Sequence, residues 1–122
     1  MATTFGPYSP VRKAGNYYFV SGQVGVSHEK IIAPDVVTQT QQVLHNLSNQ
    51  LEKVGLEMKD VVKTTVFLRH MNDFKAVNDV YITYFAEPRP ARSCVEVSAL
   101  PSVANNELLV EIEAVAYKES VS

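Results

Sequence analysis

The stretch Pro90-Ala91-Arg92-Ser93-Cys94-Val95-Glu96-Val97 carries the densest chemistry in the chain. It reads as a β-strand, in which successive side chains point to opposite faces. Arg92, Cys94 and Glu96 then share one face, and Ser93, Val95 and Val97 the other. A guanidinium is planar and forked, so it grips a carboxylate through two parallel hydrogen bonds. A site for a small carboxylate is one reading of Arg92, and a structural salt bridge is the other. Glu111 and Glu113 share one face of a second strand that is otherwise apolar. They read either as solvated edge charges or as a carboxylate turned toward a site or an interface.

Other residues offer weaker chemistry. Cys94 as a nucleophile needs a base and an orienting group. No histidine has a sequence context for that role, and free cysteine is often a small apolar core residue. His28, His45 and His70 do not pair at ligand spacing, and no HExxH or CxxC occurs, so no metal or other cofactor is expected. Ser21-Gly22-Gln23-Val24-Gly25 contains GxxG but opens no helix, so it is not a phosphate cradle. Ser21 and Gly22 would still let a ligand approach the backbone closely. Tyr8 lies in the rigid turn Gly6-Pro7-Tyr8-Ser9-Pro10, which could aim its hydroxyl. Asn78 sits beside an apolar helical stripe, where its amide needs partners.

The elements that must position these residues follow from periodicity. Val11 to Lys13 and Tyr17 to Ser21 form a hairpin around Gly15-Asn16. Residues 22 to 34 read mostly as loop, with a short strand near Ile31-Ile32. Val36, Val43, Leu44, Leu47, Leu51 and Val54 make a helical stripe from about Asp35 to Val54. Gln39 and Asn46 fall off it. Asp35 is the N-cap and Gly55 the C′ residue. A strand spans Asp60 to Leu68, with Val62, Thr64, Val66 and Leu68 on one face. A second helix spans Asn72 to Phe85, with Phe74, Val77, Tyr81, Tyr84 and Phe85 inward, ended by Pro88 and Pro90. The Arg92 strand, a loop from Pro101 to Asn106 and a strand from Leu108 to Tyr117 complete the order ββ-α-β-α-ββ.

That order implies one α+β domain over 1–122, with two helices on one face of a mixed sheet. The other face, including Thr65, Phe67, Cys94 and Val115, is too apolar for water, so an oligomer is expected. The 122 residues suffice for one domain. A net charge of −2 argues against a nucleic-acid partner. No run is long and apolar enough for a membrane span. The start lacks the features of a signal peptide, and the single cysteine fits a reducing cytoplasm.

Six blocks occur in order along nearly the whole chain. They are Gly6-Pro7-Tyr8-Ser9, Ser21-Gly22-Gln23, Val61-Val62-Lys63-Thr64-Thr65-Val66, Asn72-Asp73-Phe74 with Val77-Asn78, the Arg92 block, and Val110-Glu111-Ile112-Glu113-Ala114. Together they closely resemble the Rid (YjgF, RidA) family of reactive intermediate deaminases. The resemblance implies a chorismate-mutase-like fold in a homotrimer with sites between subunits. It implies hydrolysis of 2-imino acids, and their enamine tautomers, to 2-oxo acids and ammonia. By matching motif, Arg92 would bind the substrate carboxylate and Glu111 would hold or polarise the attacking water. Tyr8, Ser21, Gly22, Asn78 and the Cys94 backbone would line the pocket. Two other functions fit less well. One is a trimeric module that binds small 2-oxo or amino acids without turnover. The other is a ribonuclease or translation inhibitor, which the acidic balance and the lack of a basic–aromatic stripe oppose.

Overall fold

The computed structural model describes residues 6–101 and 106–120. Strands β1 (Val11–Ala14) and β2 (Tyr17–Val24) form the expected hairpin, with Gly15 at φ +61° in its turn. Helix α1 (Val36–Lys53) begins at Asp35, whose carboxylate accepts from the Thr38 backbone N–H and hydroxyl, each at 2.9 Å. It stops at Gly55, where φ is +80° and the Leu56 N–H returns to the Leu51 carbonyl at 2.9 Å. That closure is the C-terminal device glycine permits. β3 (Val61–Leu68), α2 (Phe74–Tyr81), β4 (Ala91–Glu96) and β5 (Val110–Tyr117) follow.

The five strands lie in the order β1-β2-β5-β3-β4. β3 and β4 are parallel, joined across α2, and the other neighbours are antiparallel. Both helices pack on one sheet face. Val43, Leu44, Leu47 and Leu51 of α1 meet Val66, Leu68, Val110 and Ile112 of the sheet, all fully buried. The α+β architecture with a mixed sheet is therefore as the periodicity predicts.

Several local expectations change. α2 is shorter than 72–85: a 3₁₀ turn at Met71–Asp73 leads in, and turns replace helix after Tyr81. Val62 faces solvent rather than the core, because β3 shifts register against β5 between Val61 and Lys63. Val54 is exposed beyond the helix end. Ile32 makes only a single bridge, to Val26. Cys94 leaves the open face assigned to it and packs against the helix-side core, in register with Val66. Residues 102–105 of the predicted Pro101–Asn106 loop lie outside the described residues.

Gln39, predicted off the buried stripe, is fully buried. Its amide donates to the carbonyls of Ala33 (2.9 Å) and Glu107 (2.8 Å), and its oxygen accepts from the Leu109 N–H (2.8 Å). One side chain thus ties α1 to the segment that leads into β5. Gly25 leaves room for it: a Cβ there would lie 2.9 Å from the Gln39 Cβ. Gln39→Leu would leave two carbonyls and one N–H without partners. The expected loss is about 3 kcal/mol, because each orphaned buried group is costly. Urea unfolding would show it as a lower midpoint at unchanged slope; a wild-type midpoint would refute the role.

Candidate functional site

Glu111 belongs to the sheet face turned away from the helices. Its neighbours Val110 and Ile112 are fully buried on the helix side, so alternation sends Glu111 the other way. It is half-buried, opposite Phe67 of β3. β2 shifts register between Val20 and Gln23, and Gly22 lies in that irregularity. A Cβ on Gly22 would come 2.8 Å from the Glu111 carboxyl carbon. The absence of a side chain there lets the carboxylate lie against backbone. Burial pushes the Glu111 pKa up, and the Glu113 charge adds to it. Glu113 itself is exposed, beside Thr65.

Ser21 fastens the turn that carries Tyr8. Its hydroxyl donates to the Ser9 carbonyl at 2.6 Å, and its N–H to the Pro10 carbonyl at 3.0 Å. Tyr8, Ser21 and Gly22 line a common cleft of ≈ 750 Å³. Residues of α1 form a further wall of that cleft.

Arg92 forms a second cluster, on the helix side at the sheet edge. It is in register with the buried Thr64. Its guanidinium carbon lies 5.0 Å from the Tyr81 ring centroid and 5.5 Å from that of Phe74. Its Nη1 donates to the Asn78 side-chain oxygen at 2.7 Å. The Tyr81 hydroxyl shares a 2.7 Å hydrogen bond with Thr64, which fixes the ring. Burial raises the Tyr81 pKa, against the opposing effects of that bond and of Arg92. Among the described residues Arg92 forms no ion pair. The salt-bridge reading of Arg92 therefore has no support here, and a cation is held in place with its charge unanswered.

The other residues on this face of β4 complete the cluster. Glu96 accepts from the Met71 N–H at 2.6 Å, anchoring the turn that starts α2. The Cys94 thiol is pushed up in pKa by burial, with Arg92 opposing. A scarce thiolate is a poor nucleophile. Phe74 and Tyr81 read in the sequence only as apolar stripe. Their spacing with Asn78, at i, i+4 and i+7, places all three on one helix face and was the available signal.

The structure thus brings Ser21, Gly22 and Glu111 together, with Tyr8 on the adjoining cleft. It brings Asn78, Arg92 and Cys94 together elsewhere. Arg92 aligns through Thr64 with Ala114, two strands and three residues from Glu111 and on the opposite face. By strand geometry their Cα atoms are on the order of 14 Å apart. A small molecule cannot touch both groups within one chain.

This fold, with an edge arginine clamp and a carboxylate laid against a glycine, defines a class. Residues 1–118 match the Endoribonuclease L-PSP family, and the chain belongs to it; YjgF and Rid are names of the same family. A RutC family protein of Pyrococcus horikoshii is 48% identical over 116 residues, which cover 93% of this chain and 89% of that protein. Reactive Intermediate Deaminase A, chloroplastic, of Arabidopsis thaliana is 44% identical over 113 residues, covering 91% of this chain and 58% of that protein. The crystal structure of RidA from Psychrobacter sp. PAMC 21119 superposes with a TM-score of 0.88 at 35% identity, over 95% of this chain and 92% of that one. E. coli TdcF with bound serine gives 0.87 at 36% identity, over 95% and 91% of the two chains.

The Gly22–Glu111 contact makes a titration prediction. A raised folded-state pKa means that Glu111 favours the folded protein at acid pH, and that this contribution is lost as pH rises through that pKa. Gly22→Ala should push the carboxylate toward water and lower its pKa. Glu113→Gln should lower it less, since burial is the larger cause. Carbon-detected NMR of the Glu111 carboxyl reads both. An unchanged midpoint in Gly22→Ala would show that the glycine does not set its environment.

Proposed function

We propose that this protein hydrolyses reactive 2-imino acids, and the enamines in equilibrium with them, to 2-oxo acids and ammonia. The observation that carries this reading is Arg92. Its guanidinium is held by Phe74, Tyr81 and Asn78 and forms no ion pair among the described residues. Such a fork suits a substrate carboxylate bound through two hydrogen bonds. The imine carbon is electrophilic once its nitrogen is protonated. Water adds to that carbon, the C–N bond breaks, and RC(=NH₂⁺)CO₂⁻ plus H₂O gives RC(=O)CO₂⁻ plus NH₄⁺. No oxidant or covalent nucleophile is needed. Glu111 holds the water and takes up a proton as it adds, a role that a raised carboxylate pKa favours.

Arg92 and Glu111 meet only if a second copy supplies one of them. Tyr17, Phe19 and Val95, each more than 40% exposed, offer apolar surface for such contact. We assign the assembly as a homotrimer with sites between subunits, as the family resemblance implies. The free thiol fits a reducing cytoplasm. Among the described residues no helix is long and apolar enough to cross a membrane.

A binding role without turnover has one observation in its favour, the solved relative TdcF with bound serine. Turnover separates the two readings. Generating 2-aminoacrylate in situ, the protein should accelerate pyruvate release; no acceleration sinks the deaminase. Arg92→Lys keeps the charge but not the fork and should lose most of the activity. Glu111→Gln should slow turnover by about 10²-fold, while pyruvate binding weakens little. Light scattering on each variant checks that the oligomer persists, and a stable monomer of the wild type would remove the shared site.

A further inference from the structure

The cleft beside Tyr8, Ser21 and Gly22 has walls that this chemistry does not use. Asn46, Asn49, Gln50 and Lys53 follow one another at helical spacing along α1 and line it. Asn46 is committed to structure: its amide donates to the carbonyls of Val24 and Val26, each at 3.0 Å. Asn49, Gln50 and Lys53 have no side-chain hydrogen bond or ion pair among the described residues.

Across from α1, Ser27, His28 and Lys30 bring a tight turn to the same cleft. The Lys30 N–H donates to the Ser27 carbonyl at 2.8 Å, and the Ile31 N–H to the Ser27 hydroxyl at 3.1 Å. Lys30 is held there at φ +64°, a conformation that usually favours glycine. A lysine kept in a strained position at a cleft is a pointer to use.

The charge pattern gives the direction. The cleft lining contains Lys30, Lys53 and His28 and no carboxylate. Glu29 and Glu52 neighbour the two lysines in sequence but lie outside the lining. Elsewhere Lys59 pairs with Glu57, Lys75 with Asp79 and Lys118 with the Gly55 carbonyl, and Lys13 lies over the Tyr18 ring, while Lys63 on β3 is without a partner among the described residues and lies outside the cleft lining. Lys30 and Lys53 have none among the described residues, and they sit on one wet cleft with two free amide side chains.

We propose that this cleft is the side-chain subsite of the imino-acid site, and that it selects 2-imino acids whose side chain carries a second carboxylate. The inference rests on the deaminase reading. Gly22 joins the two regions, since it lines the cleft and contacts Glu111. With the imine carbon near Gly22 and Glu111, the side chain extends into the cleft. Lys30 and Lys53 meet its carboxylate there, and Asn49 and Gln50 supply hydrogen bonds. The reaction is unchanged; only R differs.

The test compares the imines of alanine and glutamate, each made in situ by an amino-acid oxidase. The kcat/KM for the glutamate imine should exceed that for the alanine imine by about fivefold to tenfold, the scale of two solvated charge contacts. The double variant Lys30→Gln/Lys53→Gln should bring that ratio down to near one. Lys30→Arg/Lys53→Arg should restore it. A wild-type ratio at or below one, or a ratio unmoved by the double variant, overturns the subsite while leaving the deaminase intact. Failure to turn over either imine sinks the deaminase instead. Calorimetry of 2-oxoglutarate against pyruvate then decides the subsite, and equal affinities in the wild type overturn it.

Discussion

A side chain on a strand has only two directions, and β5 lies in the middle of the sheet between β2 and β3. Val110, Ile112, Ala114 and Ala116 point to the helices and are buried, so Glu111 and Glu113 have no choice of face. A one-residue slip would put two carboxylates into the core and four apolar residues outside. The hydrophobic cost of that slip fixes the position of Glu111 more firmly than any contact it makes itself. Gln39 secures the same strand from below through the Leu109 N–H and the Glu107 carbonyl. The packing of α1 and the placement of the carboxylate are therefore one problem.

Arg92 is governed by different physics. β4 is an edge strand, paired only to β3, and its helix face receives α2. There the guanidinium meets two aromatic rings and an amide, groups that orient a cation without neutralising it. A carboxylate partner would have stabilised the charge and occupied the fork. An amide leaves the remaining N–H groups for another anion. Glu96 and Cys94 serve the same geometry, one by anchoring the start of α2 and the other by packing beneath the strand.

Much of this was legible because it is local. The Asp35 cap, the Gly55 stop and the Val43-Leu44-Leu47-Leu51 stripe depend on residues within two helical turns. The alternation of β5 is equally local, and it singles out Glu111 and Glu113. The placement of Gln39 was not legible, since its partners at 33, 107 and 109 come together only in the folded chain. The face of Cys94 was missed for a related reason. Within β4 the sequence correctly groups Cys94 with Arg92 and Glu96, but which face meets α2 depends on the pairing with β3. The separation of Arg92 from Glu111 is a property of strand order, which no short motif contains.

The Cys94 thiol has a consequence for survival rather than rate. It is the one cysteine in the chain, and burial keeps its pKa above the ordinary value. Peroxide attacks the thiolate and not the thiol. A thiol kept protonated beside the arginine is therefore slow to become sulfenic acid.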